Sequence, residues 1–212
     1  MTHQIIDGDG GVVVYGRPGH EWLVDEADNV YSQFGEDGII GAIFERIGMA
    51  NHWCFECGAD DGVKMSNVRN LYQHGWECIQ VECRRERYDL LCTNSPSTRN
   101  VLAKVGEGEW TLDTLLRSNG APVDIDLLVL DIDGQEYWVL TDMVRYTPRV
   151  LVVEYECPDK DSGPPPRGET ACIQAGSSAM IELLERKGYE VVCQTSCNMI
   201  AVRSDLADKL SA

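Results

Sequence analysis

The feature that most restricts this chain is a regular alternation, from Trp53 onward, of short apolar runs with segments whose apolar residues recur at helical spacing. Trp53–Cys57, Trp76–Glu82, Asn100–Val105, Ile125–Asp131 and Val150–Glu156 read as strands. Ser66–Tyr72, Arg84–Cys92, Thr111–Ser118 and Glu136–Arg145 read as the helices between them, with Thr111 as an N-terminal cap. Parallel neighbours need a crossover of this kind, and the Val- and Leu-rich runs at Ile125–Asp131 and Val150–Glu156 imply a sheet covered on both faces. The chain closes differently. A helix over Ser178–Lys187, stopped by Gly188, precedes Tyr189–Gln194 and Met199–Arg203, which are too close in sequence for anything but an antiparallel hairpin. The pattern predicts a doubly wound α/β fold with a seven-stranded, mostly parallel sheet and a C-terminal antiparallel hairpin.

Upstream, Ile39, Ile40, Ile43, Phe44 and Ile47 mark an amphipathic helix that starts at Glu36 and Asp37 and ends at Gly48. Residues 1–30 are less regular, with a short strand at Val12–Tyr15 and the acidic stretch Asp25-Glu26-Ala27-Asp28. They read as an N-terminal arm, a lid or an oligomer contact, so a homo-oligomer is compatible with them. Residues 31–212 then form one domain, interrupted by no Ser/Gly-rich linker and carrying one long loop at 157–175 with Gly163-Pro164-Pro165-Pro166.

Charge narrows the partners. Eighteen basic against 35 acidic residues leave a net charge of −17, which repels phosphate backbones and anionic bilayers, so neither nucleic acid nor a membrane is an expected partner. The longest apolar runs fall far short of the roughly 20 residues a spanning helix needs, and the N-terminus lacks the pattern of a secretory signal. Nine cysteines cannot all pair within one chain, which favours reduced thiols and a cytoplasmic location. Cys54 and Cys57 form a CxxC, but odd spacing on a strand points them to opposite faces and argues against a zinc pair; Cys193 and Cys197 flank a turn and can approach each other.

In open α/β sheets ligands lie beyond the carboxyl ends of the strands, which here are acidic: Glu56, Glu82, Asp131 with Asp133, and Glu154. The loop Gly58-Ala59-Asp60-Asp61-Gly62 has glycines that allow a tight turn and close approach of a ligand. Its spacing is not the G-x-G-x-x-G of a dinucleotide site, and Asp60 and Asp61 would repel a pyrophosphate. Glu56 suits a cationic amino group, and Glu82, 20 residues after Gly62, suits a pair of ribose hydroxyls. Asp131, Asp133 and Glu154 end neighbouring strands, so their carboxylates can converge as acid–base groups or on a hard cation such as Mg2+. The competing reading has Asp131 contacting the cofactor, Asp133 capping the next helix and Glu154 merely satisfied. Tyr137, Trp138 and Tyr155 read as an acceptor wall or as core, and the four histidines do not cluster.

Taken together, these residues resemble the FkbM-like family of S-adenosylmethionine-dependent methyltransferases from about Tyr31 to Arg203. The similar stretches are Ser32-Gln33-Phe34-Gly35-Glu36-Asp37-Gly38, Phe55 to Gly62, Ser66-Asn67, Asp131-Ile132-Asp133-Gly134, Tyr137-Trp138, Pro148-Arg149-Val150 and Val153-Glu154-Tyr155. The resemblance implies the Rossmann-like class I methyltransferase fold, whose closing hairpin dehydrogenase folds do not usually share. It also implies S-adenosylmethionine held by Glu56, Gly58, Ala59, Asp60, Gly62, Ser66, Asn67, Glu82 and Asp131, with Ser32, Gln33 and Asp37 beside its methionine end. The acceptor it implies is an oxygen on a sugar or other small metabolite, that is, a small-molecule or glycan partner. The segment from Cys157 to Gln174 follows no family pattern. Two other readings compete. Asp131-Ile132-Asp133 after a strand also looks like the DxD of a metal-dependent nucleotide-sugar glycosyltransferase, and a non-catalytic module can keep the fold and the cofactor.

Overall fold

The computed structural model describes residues 3–6, 12–106, 108–156, 163–168 and 173–210, with side chains from Val14 onward. The strands are β1 (His3–Ile6), β2 (Val12–Gly16), β3 (Trp53–Cys57), β4 (Glu77–Glu82), β5 (Arg99–Leu102), β6 (Leu127–Leu130), β7 (Val150–Glu154), β8 (Tyr189–Gln194) and β9 (Asn198–Arg203). The α-helices are α1 (Glu36–Ile47), α2 (Arg69–Gln73), α3 (Arg85–Asn94), α4 (Leu112–Ser118), α5 (Glu136–Asp142), α6 (Ser177–Arg186) and α7 (Ser204–Ala207).

Among the described residues all nine strands join one sheet in the order β1-β2-β8-β9-β7-β6-β3-β4-β5. The block β7-β6-β3-β4-β5 is parallel, and β9 runs antiparallel to both β7 and β8. The sheet is thus two strands wider than the seven that the pattern predicts, because β2 pairs antiparallel with β8 and β1 with β2. Of the segment expected to be an arm or lid, residues 3–6 and 12–16 therefore extend the sheet, whereas residues 1, 2 and 7–11 lie outside the described residues.

Period-two alternation divides the core. Along β6, Leu127 and Val129 face the layer of α1, while Leu128 and Leu130 face that of α4, α5 and α6. Cys54 and Cys57 fall in opposite layers, as their spacing requires, and Cys54, Cys57, Cys78, Cys83, Cys92 and Cys193 are free thiols. At the amino ends of the strands, buried Asp126 accepts N–H bonds from Ala50, Asn51 and His52 and pairs with Arg149 at 2.6 Å. Arg149 in turn donates to the carbonyls of Ile47 and Gly48, fastening the end of α1 to the entry of β3. Leaving either charge alone would cost several kcal/mol, so this network fixes the floor of the sheet, opposite the site.

Two helices are shorter than their patterns for local reasons. α2 begins at Arg69 instead of Ser66, because the Ser66 hydroxyl, turned to donate to Glu56, holds the preceding turn by accepting from the Arg69 N–H. α5 stops at Asp142, since the Asp113 carboxylate of α4 takes the N–H groups of Val144 and Arg145. No helix among the described residues is long and apolar enough to cross a membrane.

Candidate active site

The carboxyl ends of β3, β4, β5 and β6 open into one cavity of about 650 Å³. Its floor is the loop after β3, and the positions of its two flanking glycines are set by the protein's own packing. At Gly58, φ is +87° and an added Cβ would lie 1.6 Å from the Asp131 carbonyl oxygen; at Gly62 it would lie 2.5 Å from Leu91 Cδ1. Both glycines thus make room for the protein itself, the end of β6 and the side of α3, while Gly58 also lines the cavity and Gly62 does not.

The same loop has used four of its five backbone donors. Gly58 and Ala59 N–H both donate to the Val81 carbonyl, Asp60 N–H donates to Glu82 Oε2 at 2.9 Å, and Gly62 N–H donates to the Ala59 carbonyl. The loop therefore lacks the cradle of free N–H groups that binds a diphosphate. Carboxylates outnumber basic groups around it: Glu56, Asp60, Glu82, Asp131, Asp133 and Asp142 line the cavity with Lys64, Arg84, Lys104 and Arg167, and Asp60 is paired with Arg84 and Arg87.

Glu56 is only 3% exposed and is held from three sides: by the Ser66 hydroxyl at 2.9 Å, the Asn67 N–H at 2.8 Å and the Gln80 amide at 3.0 Å. Burial pushes its carboxyl up to about 7 against those bonds. For Glu82, burial again opposes ionisation, but the N–H and guanidinium of Arg84 together with the Asp60 N–H outweigh it, so the carboxyl titrates below its usual range. Glu82 thereby keeps its charge and unused acceptor capacity at the end of β4. Val81, Ala103, Val105 and Val139 supply an apolar wall beside it.

Asp131, Asp133 and Glu154 do converge, with one carboxylate oxygen from each within 4.8 Å of the others. Asp131 and Asp133 line the cavity, whereas Glu154 stands behind them and accepts the Asp133 N–H at 3.2 Å. Burial, then the adjacent Glu154 charge, pushes Asp131 up to about 8; burial, then the Glu136 charge, pushes Glu154 up to about 7. The turn that presents them has three successive positive φ values, at Asp133 (59°), Gly134 (129°) and Gln135 (73°). It is held by Glu136 Oε1, which accepts from both Ile132 and Gly134 N–H at 2.9 Å.

The Ser32–Asp37 segment does not border the cavity. Asp37 instead staples its own loop by accepting N–H bonds from Val30, Tyr31 and Ser32, the Ser32 hydroxyl bonds Asn29, and Gln33 faces solvent. Its neighbour Glu36, which the sequence marks only as a helix start, is fully buried, accepts from Thr195 and Asn198, and adds its charge to the environment of Asp131. Of the three aromatic candidates, Trp138 alone lines the cavity. Tyr137 and Tyr155 are core, their hydroxyls engaged with Arg186 and the Thr195 carbonyl. No described histidine lines it.

Of the loop expected over 157–175, residues 157–162 and 169–172 lie outside the described residues. Residues 163–168 form a strap seated on the start of α5. Trp138 Nε1 donates to the Pro165 carbonyl at 2.7 Å, Gln135 Nε2 donates to the Pro166 carbonyl at 3.1 Å, and Gln135 Oε1 accepts from Gly168 N–H at 2.9 Å. Arg167 pairs with Asp142 and lies 5.2 Å from the Trp138 ring centre. No sequence signal marks Gln135 for this clamp, because a left-handed non-glycine residue is a property of the assembled turn.

This strand order, with its crossovers and closing hairpin, is the class I methyltransferase fold. A TehB-like SAM-dependent methyltransferase from Corynebacterium glutamicum superposes with a TM-score of 0.50 at 11% identity, covering 85% of this chain and 92% of its own. The N-terminal domain of EvdMO1, solved with S-adenosylhomocysteine bound, also reaches 0.50, at 14% identity over 81% of this chain and 82% of its own. At such identities the likeness is one of fold. No family model and no curated protein matches the sequence.

Proposed function

We propose that this chain is an S-adenosylmethionine-dependent methyltransferase of the FkbM-like kind, acting on a hydroxyl of a sugar or other small metabolite. The observation that carries this is the donor set on a class I fold: a glycine loop with four of its five N–H groups spent internally, and six carboxylates against four basic side chains lining the cavity. Such a site suits a ligand with cationic groups and ribose hydroxyls and disfavours a diphosphate. That argues against both a dinucleotide and a nucleotide sugar.

S-adenosylmethionine, when bound, supplies a methyl group activated by a positively charged sulfur. In this reading Glu56, with Ser66 and Asn67, receives its amino group, Glu82 accepts from its ribose hydroxyls, and Val81, Ala103 and Val105 flank its base. The chain's remaining work is to hold an acceptor oxygen in line and take its proton. Asp131 stands nearest to that role, because its carboxylate lies just past the end of β6 and lines the cavity. Trp138 and the strap form the wall over the acceptor side. Free thiols suit a reducing compartment such as the cytoplasm, and the net charge of −17 argues against a nucleic-acid acceptor.

Isothermal titration with S-adenosylhomocysteine, alongside a UDP-sugar, tests the reading. It expects saturable binding of the first alone; binding of the nucleotide sugar alone would replace it with the glycosyltransferase reading. Binding without methylation of any hydroxyl in an acceptor panel would favour a non-catalytic module.

A further inference from the structure

Five carboxyl groups meet behind the end of β6. Asp131, Asp133 and Glu154 have oxygens within 4.8 Å of one another, Glu136 faces Glu154, and Glu36 approaches Asp131 from α1. Among the described residues no lysine or arginine forms an ion pair with any of them. Elsewhere the chain neutralises a buried acid within the protein, as Arg149 does for Asp126 at 2.6 Å. Carboxylates gathered this tightly repel one another unless protons or a cation lie between them.

A separate observation favours the cation. Glu136 is fully buried, and while its Oε1 takes two N–H donors, its Oε2 has none and is directed at the Glu154 carboxylate. Asn198, opposite Glu154 in the β7–β9 register, likewise has a buried Oδ1 without a donor. A buried acceptor left bare costs free energy, and two of them beside an acidic cluster call for positive charge from outside the chain.

We propose that Asp131, Asp133 and Glu154 bind one divalent cation of the Mg2+/Mn2+ class, with Glu136 as the positioning residue that braces the Asp133 turn and balances the ion from behind. The donors are all oxygen, which selects hard cations over zinc or copper. Asp131 and Asp133 line the cavity, so the ion would have faces open to water or to an acceptor oxygen. A role in holding an acceptor rests on the methyl-transfer reading, but binding of the ion itself does not.

The experiment uses the full chain stripped with a chelator and titrated with MnCl2 without S-adenosylmethionine, followed by calorimetry and by loss of the free Mn2+ paramagnetic resonance signal. One Mn2+ per chain is expected. Asp133→Asn, at an exposed position, and Glu154→Gln should each weaken binding at least about tenfold, and Glu136→Gln about tenfold, the usual effect of losing a group behind the ligands. Glu45→Gln, an exposed acid on α1, should leave binding unchanged. Absence of saturable binding by the native chain, or undiminished binding by folded Asp133→Asn and Glu154→Gln variants, overturns the proposal and leaves shared protons as the account of the cluster. Because no cofactor is present, this outcome is independent of whether the chain transfers methyl groups.

Discussion

Gly58→Ala provides a sharp test of how the floor of the cavity is built. The new Cβ would lie 1.6 Å from the Asp131 carbonyl oxygen and 2.8 Å from its carbon, both backbone atoms that no rotamer can move aside. Relief requires the loop to withdraw from β6, and that stretches three bonds: Asp131 N–H to the Cys57 carbonyl at 3.0 Å, and Gly58 and Ala59 N–H to the Val81 carbonyl at 3.0 and 3.1 Å. At a net value of about 1 kcal/mol each they sum to about 3 kcal/mol. Forcing alanine to φ +87° adds about 1 kcal/mol. The total of about 4 kcal/mol is a large share of the roughly 5 to 15 kcal/mol that holds a typical domain together.

Gly75→Ala is the matched control, since its φ is +86° but a Cβ there meets nothing within 4 Å. It should lose only the conformational part, about 1 kcal/mol. Urea unfolding followed by the fluorescence of the five tryptophans measures both. A gap of about 3 kcal/mol between the two variants, with S-adenosylhomocysteine binding lost only in Gly58→Ala, is the expected result. Equal losses in the two variants would refute the collision and return Gly58 to a merely conformational role.

Other perturbations probe the site itself. Because Glu56 titrates at about 7 and must be ionised to receive an ammonium, S-adenosylhomocysteine affinity should climb about tenfold per pH unit below 7 and flatten above it; a flat profile in calorimetry would remove Glu56 from that role. In the ligand-free chain the linkage has the opposite sense: a carboxyl raised from 4.5 to about 7 contributes stability that is present below 4.5 and is lost as pH rises through 7, so urea midpoints should fall over that window. Glu82→Gln should weaken S-adenosylhomocysteine by roughly 1 to 3 kcal/mol, through poorer acceptance of the ribose hydroxyls, and unchanged affinity would end that assignment. Gln135→Gly keeps the left-handed turn but removes both bonds to the strap, so trypsin should cleave after Arg167 several-fold faster; an unaltered rate would mean that Gln135 does not hold it.

What the sequence determined by itself is what depends on neighbours along the chain. Two-residue alternation and helical spacing are local, and they located β3 through β9 and most helices to within a few residues; a crossover against a short turn is likewise a matter of sequence distance, hence the parallel block and the closing hairpin. Acidic residues at strand ends were legible for the same reason, which is how Glu56, Glu82, Asp131, Asp133 and Glu154 could be named and how the latter three could be expected to converge. Only the tertiary structure decided what depends on approach from elsewhere. It paired β2 with β8 across most of the chain, turned Asp37 inward to its own loop, brought buried Glu36 and Glu136 up to the acidic cluster and clamped the strap with a left-handed Gln135. It also gave Gly58 its reason, the carbonyl of Asp131, 73 residues further along the chain. Contacts of that kind arise from closing long loops between packed surfaces, and no window of sequence contains both partners.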